Sequence, residues 1–302
     1  MKKVLLICAL GATLAAVTGH AEEKPLQVAK LAPDARALPE RAATTGNWES
    51  LNPKKLKLKS AAALIVDHDG KEVYAKHVDE PQSIASITKL MTAMVILDGS
   101  QPLQQRITIT KEDRDLIQLT GSRLQYGATL SREQLLRLAL MSSENRAANA
   151  LARNWPDGKA AFVEAMNRKA RSLGMQSSHF ADPAGLDPGN VASARDVGKM
   201  IRASLTYPLI RKATTTRSLS VRPYKGRGPL RYGNTNRLVK NDAWTIQVSK
   251  TGYLNEAGRC LAMQVKIADE PLVIVLLNSY GKLTPFGDSN RIRKWIEHGI
   301  DG

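Results

Sequence analysis

The chain has 302 residues, room for one large domain or two modest ones. Hydrophobic residues make up 43% and charged residues 24%, which excludes collagen-like, wholly disordered and multispan membrane classes. Its two cysteines, Cys8 and Cys260, are too few for a disulfide framework or a thiolate zinc site, and 44 Lys and Arg against 28 Asp and Glu give a net charge of +16.

At the start, Met1-Lys2-Lys3 precedes the apolar run VLLICALGATLAAV, and Gly19-His20-Ala21 supplies the small residues of a cleavage site after Ala21. This pattern predicts a secretory signal over residues 1–21, too short to span a bilayer, and hence an exported product. Cys8 lacks the small residue expected just before a lipidated cysteine, so a soluble product is expected and not a lipoprotein. Outside the cytoplasm a basic surface argues against nucleic acid as partner. It favours peripheral contact with anionic membrane headgroups, or the carboxylates of a cell-wall polymer.

Residues 22–59 contain Pro25, Pro33, Pro39 and Pro53 and no sustained period, which predicts a linker or extended arm. A domain is expected over residues 60–302. It opens with AAALIVD, the turn Asp67-His68-Asp69-Gly70 and KEVYAKH, a hairpin at one edge of a sheet. From Ser86 the positions Ile87, Leu90, Met91, Met94 and Val95 recur at helical spacing and Gly99 follows, predicting a buried helix that begins at Ser86. Helical signals dominate residues 100–205, including Ser131 with Gln134 as a capping pair before LLRLALM, and residues 159–172. Beyond residue 240 come three strands, WTIQVSKTG, CLAMQVKIA and PLVIVLLNS, and a last helix over residues 287–298. The expected plan is α+β, an antiparallel sheet from the N- and C-terminal parts with a helical lobe inserted at about residues 100–205, and a site between the lobes.

Three elements can carry chemistry there. Ser86-Ile87-Thr88-Lys89 puts a hydroxyl and an amine one helical turn apart, so Lys89 can serve as base to a Ser86 nucleophile if burial and a second cation lower its pKa. Ser279 to Lys282 repeats that spacing, but after a strand and in a turn, and is assigned to a surface loop. Ser143-Glu144-Asn145 lies between two helical stretches, where Ser143 or Asn145 can also be a simple helix cap. Lys250-Thr251-Gly252 ends a strand and occurs once. A cation, a hydroxyl and a glycine there can bind a substrate carboxylate while an extended peptide lies along the strand edge, the glycine admitting its backbone.

Together and in this order the three resemble the SxxK, S-D-N and K-T-G signature of penicillin-binding proteins and class A β-lactamases, with Glu144 in place of the usual Asp. ASITKLMTAMVILD, HFADPAGLDPGN and SARDVGKM extend the resemblance over residues 56–300, to the low-molecular-mass penicillin-binding proteins of the D-alanyl-D-alanine peptidase family. The sequence ends soon after one short helix, without the further C-terminal domain and anchor of the common carboxypeptidases, which resembles the endopeptidase branch.

The resemblance implies the β-lactamase and transpeptidase-like α+β fold, a periplasmic location, peptidoglycan stem peptides as substrate, β-lactams as covalent inhibitors, and no metal or cofactor. It also implies roles. Ser86 is the nucleophile, Lys89 its base, Ser143 a proton relay and Asn145 a holder of Lys89 and substrate. Lys250 and Thr251 bind a carboxylate, and the main-chain N–H groups of Ser86 and Tyr253 form an oxyanion hole. A β-lactamase would need a further deacylating carboxylate, for which Glu164 with Asn167 is the nearest candidate. A non-catalytic wall-binding protein is the alternative outside the enzymes.

Overall fold

The computed structural model describes residues 48–300. The expected signal over residues 1–21, and residues 22–47 of the expected arm, lie outside the described residues. The strands in chain order are β1 (Ala62–Val66), β2 (Glu72–Lys76), β3 (Gln82–Ser83), β4 (Arg106–Thr108), β5 (Thr129–Ser131), β6 (Val191–Ala192), β7 (Ser218–Val221), β8 (Leu230–Gly233), β9 (Thr245–Leu254), β10 (Gly258–Ile267) and β11 (Glu270–Ser279). The α-helices are α1 (Lys89–Asp98), α2 (Arg132–Met141), α3 (Asn145–Arg153), α4 (Gly158–Ser172), α5 (Ala194–Ser204), α6 (Pro208–Thr215) and α7 (Thr284–Ile300).

A five-stranded antiparallel sheet in the order β2-β1-β11-β10-β9 joins the early hairpin to the late strands, with β2 at one edge and β9 at the other. Its central strands are continuous apolar runs because both faces are covered. Ala62, Leu64 and Val66 of β1 and Val273, Val275 and Leu277 of β11 face the large core shared with the helices. Ala63 and Ile65, with Leu272, Ile274 and Leu276, face a second core under α7. Strict alternation of two apolar sets is what a strand buried on both sides requires.

The α+β plan with an inserted helical lobe is the observed one. The lobe is larger than expected: α1 and α6 belong to it by packing, α6 lying against α2. It also holds the ribbon β4–β5, whose two strands of three residues are too short to show a period in the sequence. The predicted capping pair is present, Gln134 N donating to Ser131 Oγ at 3.1 Å and Ser131 N to Gln134 Oε1 at 3.0 Å.

Residues 48–59 correct the expected arm. Two 3₁₀ turns, Trp48–Ser50 and Pro53–Lys55, lay Trp48, Leu51 and Leu56 into the second core. Trp48 Nε1 donates to Asp67 Oδ2 at 3.0 Å and Trp295 Nε1 to Asn52 O at 3.0 Å, so this segment is part of the domain. A few widely spaced anchors leave no period in the sequence.

Candidate active site

The helix expected to begin at Ser86 begins at Lys89. Ser86 sits instead on a 3₁₀ turn, Ala85–Thr88, entered through Ala85 at φ +46°, a left-handed backbone costly for a residue with a Cβ. That turn is clamped by two glycines. A Cβ on Gly185 would fall 2.0 Å from Ala85 O, and one on Gly252 would fall 2.8 Å from Ile84 O and 3.2 Å from Ser86 N. Gly252 therefore admits the backbone of the Ser86 turn itself, a constraint that the strand pattern did not show. The close approach lays β9 alongside Ser86, so that the main chain beside Tyr253 and that of Ser86 border one cleft.

Lys89 is fully buried, and its Nζ donates to Ser86 Oγ at 2.8 Å, to Asn145 Oδ1 at 2.7 Å and to the Ala184 carbonyl. Burial pushes its pKa down from the ordinary lysine value to about 7, and the carboxylates of Asp182, Glu144 and Asp115 keep it from falling further. Lys250 is also buried, donating to Ser143 Oγ at 3.0 Å and to the Thr251 carbonyl at 2.8 Å. Burial first, and the charge of Lys89 second, push it well below the ordinary lysine value. The fall at Lys89 thus comes from burial and not from the expected second cation, whereas Lys250 feels both burial and the charge of Lys89.

Ser143 stands at φ +60°, a strained position that turns its hydroxyl to Lys250 at the end of α2. Neither Ser143 nor Asn145 caps α3. Glu144 does, its carboxylate accepting from Arg146 N and, at 2.6 Å, from Ser122 Oγ, so the residue that departs from the signature faces away from the other two. Asn145 is held from its other end by Nδ2 donating to Thr120 Oγ1 at 2.9 Å.

Ser86, Ser143, Asn145, Thr251, Gly252 and Tyr253 line one cleft of about 390 Å³, with Lys89 and Lys250 in its floor. All eight predicted site residues thus converge. Others were not foreseen. Thr235 accepts from Thr251 Oγ1 at 2.7 Å, and Arg259 stacks 3.5 Å over the Tyr253 ring. Lys282, assigned with Ser279 to a surface loop, lines the cleft from the turn before α7, while Ser279 is buried and shares a hydrogen bond with Ser60.

Asp182 was also missed. Its carboxylate accepts from the main-chain N–H groups of Ala184, Gly185, Leu186 and Asp187 and from Asn190 Nδ2, and this cage presents the Ala184 carbonyl to Lys89. The run HFADPAGLDPGN held the signal, a carboxylate among turn residues with Gly185 at φ +71°. Cys260 reaches the cleft wall, and burial pushes its thiol up to about 11, so it holds its proton at neutral pH. Among the described residues no group of His, Cys, Asp and Glu is arranged to hold a metal ion.

A serine hydroxyl against a buried lysine, on this fold, is the arrangement of the active-serine enzymes of the SxxK type. The model of the D-alanyl-D-alanine carboxypeptidase family, peptidase S11, matches residues 49–281, and the chain belongs to that family as a serine D-Ala-D-Ala peptidase. It is 44% identical over 248 residues to a D-alanyl-D-alanine endopeptidase of Pseudomonas aeruginosa, covering 82% of this chain and 80% of that one. Over 241 residues it is 44% identical to the D-alanyl-D-alanine endopeptidase of Escherichia coli, covering 80% and 78%. Among solved structures a point mutant of the Streptomyces K15 DD-transpeptidase is similar, with TM-score 0.73 and 25% identity over 80% of this chain and 99% of that one.

Proposed function

We propose that the protein is an exported DD-endopeptidase that opens peptidoglycan cross-links through an acyl-enzyme on Ser86. The observation that carries this reading is the 2.8 Å contact between Ser86 Oγ and Lys89, a lysine whose pKa lies near neutrality. Neutral Lys89 takes the Ser86 proton as Oγ attacks the D-alanyl carbonyl carbon. The N–H groups of Ser86 and Tyr253 receive the oxyanion, and the tight seat of Gly252 against Ser86 supports their pairing. Ser143, polarised by Lys250, delivers its proton to the leaving amine as the C–N bond breaks and is reprotonated by the Lys89 ammonium, so the proton taken from Ser86 ends on the amine and Lys89 is neutral again. Thr251, Thr235 and Lys250 hold the carboxylate on the leaving side. Water, with Lys89 as base, then hydrolyses the ester and restores Ser86.

A β-lactam enters the same path as an acyl donor whose leaving group stays tethered, which favours a lasting adduct. The lactamase reading loses its carboxylate: Glu164 is exposed on α4 and pairs with Arg168, and Asn167 bonds Val163 and Phe180 of its own neighbourhood. Export rests on the signal sequence. Among the described residues no helix is long and apolar enough to cross a membrane.

The endopeptidase branch rests on the names of the two 44%-identical relatives. The family's own description names a carboxypeptidase, the second reading. Mass spectrometry of cross-linked dimer and monomeric pentapeptide muropeptides, incubated together with the protein, separates them. Dimer is expected to fall to monomers with pentapeptide spared and Ser86→Ala inert. Loss of one alanine from pentapeptide with dimer intact overturns the endopeptidase assignment.

A further inference from the structure

The basic excess of the chain is unevenly placed. Residues 197–241 carry eleven Lys and Arg and no Asp or Glu, against a net charge of +16 for the whole sequence. Part of this run forms the hairpin β7–β8, whose tip packs beside the ribbon β4–β5: Thr129 N donates to Pro223 O at 2.9 Å, and Gln125 N to Tyr224 Oη at 2.6 Å. Between tip and ribbon lies a groove of about 740 Å³, larger in volume than the catalytic cleft. Arg106, Arg222, Lys225 and Arg227 line it together with the rings of Tyr126 and Tyr224, and no carboxylate does. Among the described residues none of these four cations has an ion-pair partner; Arg106 is oriented by a hydrogen bond to Thr129 O, and Arg227 lies 5.2 Å over the Tyr224 ring.

We propose that this groove is a second binding site, one that holds an acidic glycan-peptide polymer away from the point of cutting. Unpaired guanidinium groups at its walls match peptide carboxylates. Each tyrosine ring has a guanidinium over one face, Arg146 at 4.7 Å over Tyr126 and Arg227 at 5.2 Å over Tyr224, and the other face of each matches the C–H face of a sugar ring, a feature that an anionic lipid headgroup does not use. Strand β8 begins three residues after Arg227 of the groove and ends two residues before Thr235 of the catalytic cleft, so at most about 28 Å of chain links the two, within the reach of one polymer. The identity of the polymer as peptidoglycan rests on the proposed function; the chemistry of the groove does not. The groove raises the local concentration of cross-links at Ser86 on the intact wall and leaves turnover of small soluble fragments alone.

The test is co-sedimentation of the full mature chain with insoluble peptidoglycan sacculi, in a Ser86→Ala background so that the polymer survives. The triple variant Arg222→Gln, Lys225→Gln, Arg227→Gln alters only exposed side chains. It is expected to bind sacculi about tenfold more weakly, with a shallower loss of binding on added salt, consistent with fewer screened contacts. With Ser86 restored, it is expected to cut soluble cross-linked dimer at the unaltered rate. Equal sacculus binding by variant and parent overturns the proposal. So does a variant that loses adsorption to phosphatidylglycerol vesicles while keeping sacculi, which would assign the groove to membrane. A chain that binds sacculi through these residues but leaves soluble dimer uncut overturns the proposed function and keeps the groove.

Discussion

Two lysines buried in one cleft are stable only because their charge is dispensable. Lys89 and Lys250 each find hydroxyl and carbonyl acceptors, and burial lowers both pKa values, so the ammonium form of Lys89 gives way near pH 7. The consequence is a pH dependence of fixed sign. Only neutral Lys89 accepts the Ser86 proton, so the rate of acylation by a β-lactam is expected to fall about tenfold per pH unit below about 7 and to level off above it. Stopped-flow acylation across that range measures it, and a rate flat from about pH 5 to pH 8 would remove Lys89 as the proposed base. Ser86, Lys89, Ser143, Asn145 and Lys250 were legible in the sequence because each lies in a short motif. Asp182, Thr235 and Thr120 were not. They act across long separations, Lys89 meeting the Asp182-caged carbonyl of Ala184 at 95 residues' distance, and no local period encodes such a contact.

At the scale of elements, the nucleophile turn and strand β9 form one unit. The SxxK spacing correctly foretold a serine and a lysine within reach, yet the turn that carries Ser86 is 3₁₀ and not α, because Ala85 is held left-handed against Gly185 and Gly252. Propensity could not show this, since the constraint comes from two glycines elsewhere in the chain. Gly252→Ala would bring a Cβ within 2.8 Å of Ile84 O, forcing β9 away from Ser86 and parting the proposed oxyanion donors. Loss of one such donor costs about 100-fold in acylation, and that loss is expected with the fold retained. Near-normal acylation by a folded Gly252→Ala protein would show that the close approach is not needed.

For the molecule as a whole, the α+β plan was legible because the outer strands and inner helices have strong periods and the sheet buries both faces. The weak point was the segment before the hairpin, where prolines and charges suggested an arm and the structure has Trp48, Leu51 and Leu56 packed under α7. These anchors tie the chain across the second core, on the sheet face away from the helical lobe. Trp48→Ala is expected to destabilise the domain by about 3 kcal/mol, lowering its melting temperature by about 10 °C, whereas a free arm would leave thermal unfolding unchanged. Calorimetry of the variant decides between the two.

Every step of the proposed mechanism passes through a covalent intermediate on Ser86. Incubation with benzylpenicillin, followed by proteolysis and mass spectrometry of the peptides, tests it most directly. The predicted result is one penicilloyl adduct per chain, on the peptide that contains Ser86, and none in Ser86→Ala. An adduct on another residue, or stoichiometric labelling of Ser86→Ala at an unchanged rate, would rule out Ser86 as the nucleophile.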